Sequence, residues 1–76
     1  MKLGPQPPEK IIKALNKAGF ESIRRKGSHV FMRHPDGRTT VVPFHKGEEL
    51  GSGILRKIAK DAKLTDEEFK KLLDEA

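Results

Sequence analysis

The chain contains no cysteine. This excludes a disulfide framework, a thiolate zinc site and a cysteine nucleophile, and it fits a reducing, cytoplasmic setting. Aromatics are scarce: four Phe, no Trp and no Tyr. The core must therefore be built mainly from aliphatic side chains. No apolar run approaches the roughly 20 residues that a membrane-crossing helix needs, and no signal-peptide pattern opens the chain. The longest uncharged apolar stretches are as short as Val41-Val42-Pro43-Phe44. GxGxxG, Walker, HExxH and GxSxG patterns are all missing. At 76 residues, 34% of them hydrophobic, the chain allows one domain with one small core. The apolar residues recur with clear periods, which argues against disorder.

Positive charge is plentiful. The net charge is +5 and the pI about 9.8, a range that makes a nucleic-acid footprint worth testing. The charge is uneven: residues 1–19 carry +3, residues 20–46 carry +4, and residues 47–76 carry −2. All three histidines, His29, His34 and His45, fall in the basic central segment. A cationic centre beside an acidic tail suggests one face for an anionic partner. The plain alternative is a solvated surface that keeps a small domain soluble.

Residues 1–7, with Gly4, Pro5 and Pro7, read as an irregular lead-in to a single domain over 8–76. Pro8 suits a first helical turn. Ile11, Ile12, Leu15 and Ala18 share one helical face, and Gly19 is placed to end the helix in the left-handed conformation. Three strands are expected next: Phe20 to Arg25, His29 to Arg33 and Arg38 to Pro43. Lys26-Gly27-Ser28 is the first turn signal. His34-Pro35-Asp36-Gly37 is the second, with proline and glycine where a type I turn prefers them. Pro43 cannot donate to a ladder and should mark a strand end or an edge. Ser52 is a candidate N-cap for a helix with the stripe Ile54, Leu55, Ile58, Ala59 and Ala62, and Lys63-Leu64 breaks that pattern. Thr65-Asp66-Glu67-Glu68 is a capping box opening an additional helix over 65–76 that buries Phe69, Leu72 and Leu73. The expected class is α+β, in the order α-β-β-β-α with an extra C-terminal helix. The helices should cover one face of a three-stranded antiparallel sheet, leaving the other for solvent or a partner.

The histidines do not read as a metal site. His29 and His34 bracket one strand at an odd separation, which turns them to opposite faces. His45 lies beyond the third strand, and Asp36, the one acid between them, sits in a turn. No metal and no small-molecule cofactor are expected. His29 by itself is more informative. It follows Lys26-Gly27-Ser28 at a tight turn, after Arg24 and Arg25. Glycine lets a backbone approach a phosphate closely, and successive backbone N–H groups in a turn can cup an anion. Imidazole can take a proton from a ribose 2′-OH or give one to a leaving oxygen. Lys26 or Arg25 would offset charge developing on the phosphate oxygens. The set His29, Arg25, Lys26, Gly27 and Ser28 would suit a metal-free ribonuclease whose RNA supplies its own nucleophile. The alternative is a surface or capping histidine. Arg38 reads as a phosphate contact or a solvated strand-end charge. Phe31 and Phe44 could stack on bases, but core packing is the expectation for both.

From Gly27 onward the chain resembles the HicA toxin family of toxin–antitoxin systems. The matching pieces are Gly27-Ser28-His29, His34-Pro35-Asp36-Gly37-Arg38, Val42-Pro43-Phe44-His45-Lys46-Gly47 and Gly53-Ile54-Leu55-Arg56-Lys57-Ile58. The helix ending in Ala18-Gly19-Phe20 also fits, so the likeness covers about residues 8–64. The resemblance implies a double-stranded-RNA-binding-domain-like fold and an endoribonuclease that cleaves single-stranded mRNA and arrests translation. It places the catalytic histidine at His29 and implies a HicB-like antitoxin that covers the active site. It assigns no role to Lys26 or Arg25. Many members stop near Leu64, so the acidic helix after Thr65 is an addition, expected to pack as a cap. Two other readings stay open: a non-catalytic RNA-binding module of the same fold, and an interaction domain whose basic face meets an acidic protein.

Overall fold

The computed structural model describes residues 3–76. Met1 and Lys2, the start of the expected lead-in, lie outside the described residues. The elements run α1 (Pro8–Lys17), β1 (Glu21–Lys26), β2 (His29–Arg33), β3 (Thr39–Pro43), α2 (Ser52–Asp61) and α3 (Asp66–Glu75). The class is α+β, as the patterning predicts. The extents of 30 × 30 × 19 Å fit one sheet and one helical layer.

The helix ends follow from their sequences. α1 opens on Pro8, whose missing N–H costs nothing there. It closes through Gly19, at φ +99°. The Phe20 N–H reaches the Leu15 carbonyl at 2.9 Å and the Gly19 N–H that of Asn16 at 3.0 Å, a paired C-terminal closure. α2 ends the same way, with Leu64 bonded to Ala59 and Lys63 to Lys60. Here the left-handed position is held by Lys63, at φ +56°. At the other end of α2 the cap is Gly51, without a side-chain bond, and Ser52 is already helical. Leu50 is paired with Gln6 through two backbone bonds of 3.0 and 2.7 Å, and this fixes the extended approach that ends at Gly51. α3 has the expected capping box: Thr65 Oγ1 accepts from the Glu68 N–H at 3.0 Å, and Glu68 Oε1 accepts from the Thr65 N–H at 2.9 Å.

The sheet order is β1-β2-β3, antiparallel throughout. Gly27 and Ser28 make a two-residue turn with Lys26 opposite His29. Gly27 takes φ +57° while Ser28 stays out of the left-handed region, the pattern of a type II′ hairpin turn. In the second hairpin the Gly37 N–H donates to the His34 carbonyl at 2.9 Å, and the His34 N–H to that of Arg38 at 2.8 Å. Gly37 has φ +99°, as in a type I turn followed by a left-handed glycine. Pro43 ends β3, an edge strand.

Strand parity divides the sheet. Val30, Met32, Thr40 and Val42 are buried beneath the helices with Ile11, Leu15, Leu55, Ile58, Phe20 and Phe69. All of β1 is exposed. Phe20 is buried just before the strand rather than in it, and Ile23 stands 57% exposed at a bulge between Ser22 and Arg24. Ile54 also departs from its expected stripe and is 40% exposed. α3 packs on α1 and α2. It contributes Phe69 and Leu73 to the core, with Leu72 half-buried against it. Lys17 Nζ donates to the Glu75 carbonyl at 3.1 Å. In the lead-in, Leu3 is buried to 2% exposure.

Candidate functional site

The uncovered sheet face is assembled by the same parity. β2 turns His29, Phe31 and Arg33 outward, because Val30 and Met32 point inward. Cross-strand partners share a face. Lys26 and Pro43 therefore flank His29, Arg24 and Val41 flank Phe31, and Glu21 and Thr39 flank Arg33. His29 is exposed at the first position of β2. The adjoining chain is pinned, since the Ser28 carbonyl accepts from the Phe44 N–H.

Lys26, Gly27, Ser28 and His29 thus come together at one hairpin tip. Arg25 does not join them. It pairs with inward-facing Val30, and its guanidinium lies over the Phe44 ring, 4.6 Å from the centroid. Arg24 takes the outward place, 5.0 Å over the ring of Phe31. Counting two residues back from Lys26 and two on from His29 marks Arg24 and Phe31 as neighbours of the tip, a signal present in the sequence. The expected core role holds for Phe44, which packs against the core, and is corrected for Phe31, which faces outward. Both are half-buried, and the fully buried aromatics are Phe20 and Phe69.

The outward face is electropositive. It carries Arg24, Lys26 and Arg33 against one acid, Glu21, at the end far from His29. Among the described residues, ion pairs form elsewhere, between Arg38 and Asp36, Arg56 and Asp66, and Lys70 and Asp74. Arg24 and Lys26 take part in none of these pairs.

Two other motif residues prove structural. His34 packs edge-on to Phe20 with centroids 5.3 Å apart, and its Nδ1 accepts from the Asp36 N–H at 3.1 Å. Arg38 is tied into the protein rather than left as a solvated charge. Its Nε donates to Asp36 Oδ2 at 2.8 Å, one terminal nitrogen donates to the Ala62 carbonyl at the end of α2, and the guanidinium lies 5.2 Å over Phe20. Hydrogen bonding from the Arg38 backbone N–H holds the Asp36 carboxyl below its usual pKa; its slight desolvation opposes this, and the Arg38 side chain reinforces it.

Among the described residues no three His, Cys, Asp or Glu side chains gather where they could hold a metal, and no helix is long and apolar enough to cross a membrane. Grooves lie beside Glu21, Ile23, Arg33, His34 and Pro35 and beside Ala18, Leu64 and Leu72; His29 lines neither. Its imidazole stands on an open, positively charged surface that an extended polyanion can cross.

A family model described as HicA toxin of bacterial toxin-antitoxin matches residues 8–64. The match takes in α1, all three strands and α2, and it stops before α3. A comparison with curated proteins gives no match.

Proposed function

Because the chain belongs to the HicA toxin family of bacterial toxin–antitoxin systems, we propose that it is a metal-independent endoribonuclease that cleaves mRNA in the cytoplasm, with His29 as its proton-transfer group. The observation that carries this reading is the exposed His29 imidazole on the electropositive sheet face, with Lys26 directly across the hairpin. The RNA supplies the nucleophile. The neutral imidazole takes the 2′-OH proton as that oxygen attacks the adjacent phosphorus, or the imidazolium protonates the departing 5′-oxygen. Water or another side chain carries the second proton. The Lys26 ammonium, some 5 Å away at the backbone, offsets charge on the phosphate oxygens. Gly27 and Ser28 bring the backbone close to the chain of phosphates. Arg25, on the other side of β1, adds to the positive field around the tip. A HicB-like antitoxin would cover the same face, so masking the site and blocking RNA are one event.

The test compares wild type with His29→Ala on a long single-stranded RNA, with chelator present and circular dichroism as a fold control. Loss of a positioned proton-transfer group costs about 10²–10⁴ in rate, so the folded variant is expected to leave the RNA essentially intact. Cleavage at the wild-type rate by His29→Ala would overturn the assignment. The open setting of His29, outside the grooves described above, favours as second reading a module that binds RNA without cutting it. Equal RNA binding by the two proteins, with no cleavage by either, would select that reading.

A further inference from the structure

Arg24 and Phe31 form a cation–π pair on the outward face, and the proposed chemistry leaves it unused. The guanidinium lies 5.0 Å over the ring. Phe31 is half-buried and Arg24 exposed, so the guanidinium is backed by an aromatic and still open to solvent. Arg24 is in no ion pair among the described residues. Phe31 stands two residues along β2 from His29 on the same face, a separation of about 7 Å, comparable to the reach of one extended nucleotide.

We propose that the Arg24 guanidinium, supported from beneath by Phe31, is a stacking platform for one unpaired nucleobase next to the phosphate presented to His29. This inference rests on the ribonuclease reading and adds the class of substrate: single-stranded RNA, held by one base as well as by its phosphates. A planar guanidinium stacks on π-faces, whereas an ammonium is a point charge. Every base has a π-face, so the platform tolerates any sequence. In a duplex the faces are already stacked on neighbouring pairs, so only an unpaired strand can use it. Charge agrees with this occupant, since Arg24 has Lys26 beside it toward the tip, and Glu21, the next outward residue on its other side, faces Arg33 across the sheet.

The experiment uses the full chain carrying His29→Ala, so that RNA survives. Dissociation constants are measured for a ten-nucleotide adenosine strand and for the same sugar–phosphate strand with abasic nucleotides. The adenosine strand is expected to bind about tenfold more tightly, the scale of one stacked base. Adding Phe31→Leu or Arg24→Lys should remove that difference. Both keep the charge of the face, so affinity for the abasic strand should change little. Arg56→Lys on α2 is the control and should keep the tenfold preference. A preference that survives both Phe31→Leu and Arg24→Lys overturns the platform. Equal binding of the two strands to the parent protein, while the wild type still cuts RNA through His29, overturns the platform and leaves the ribonuclease standing. If the wild type neither binds nor cuts RNA, both proposals fall.

Discussion

Gly19 shows how one residue can be fixed twice. Its φ of +99° is a conformation that L side chains rarely adopt, and a β-carbon built there would lie 2.7 Å from His34 Nε2. Gly19→Ala should therefore destabilise the fold by roughly 1–3 kcal/mol through backbone strain and contact, read as a lower urea midpoint. Truncating His34 in the same chain should restore only part of the loss, since the space is recovered and the backbone strain is not. The sequence marks Gly19 as a helix end but does not reveal the imidazole above it, because that contact joins segments fifteen residues apart. Arg38 was opaque for the same reason. Its partners, Ala62 and Phe20, come from both ends of the chain, and local pattern cannot see them. His29 is the opposite case. The turn residues that expose it are its immediate neighbours, and they can be read directly.

At the scale of elements, α3 is the informative piece. The family match ends before it, yet Phe69 is fully buried and Leu73 nearly so. Phe69→Ala is expected to cost about 3–5 kcal/mol, a large part of the 5–15 kcal/mol that typical domains possess. Thermal unfolding followed by circular dichroism would show it, and an unchanged midpoint would make α3 an ornament rather than part of the core. The capping box made this helix legible, and a period of 3.6 made α1 and α2 legible. β1 was harder. It is an exposed edge strand with a bulge, so hydrophobic alternation is weak there and the pattern extends it to Phe20, which belongs to the core. β2, buried on one face only, kept its alternation and its boundaries.

For the molecule as a whole, sides and charges are aligned: helices and most acids on one side, a basic sheet face on the other. Acid should loosen this arrangement in a defined window. Bonds from the backbone N–H groups of Arg38 and Thr65 hold the Asp36 and Glu68 carboxyls below their usual pKa values. A carboxyl whose folded pKa is depressed adds stability above its unfolded value and loses it as pH falls through the folded value. The melting temperature should therefore be insensitive to these groups near neutrality and fall below about pH 4.5. Asp36→Asn with Glu68→Gln should flatten that acid limb in a pH series of melts; an undiminished slope would assign the acid sensitivity to other groups.

The pairing of α1 with α3 has a consequence for the order of events during synthesis. The ribosome makes α1 before the sheet and α3 after it, so the part of α1 that meets α3 stays uncovered while some fifty further residues are added. At about 5–20 residues per second, that is an interval of seconds in which the core lacks Phe69 and Leu73. Closure of the core must wait for the helix that lies beyond the family match.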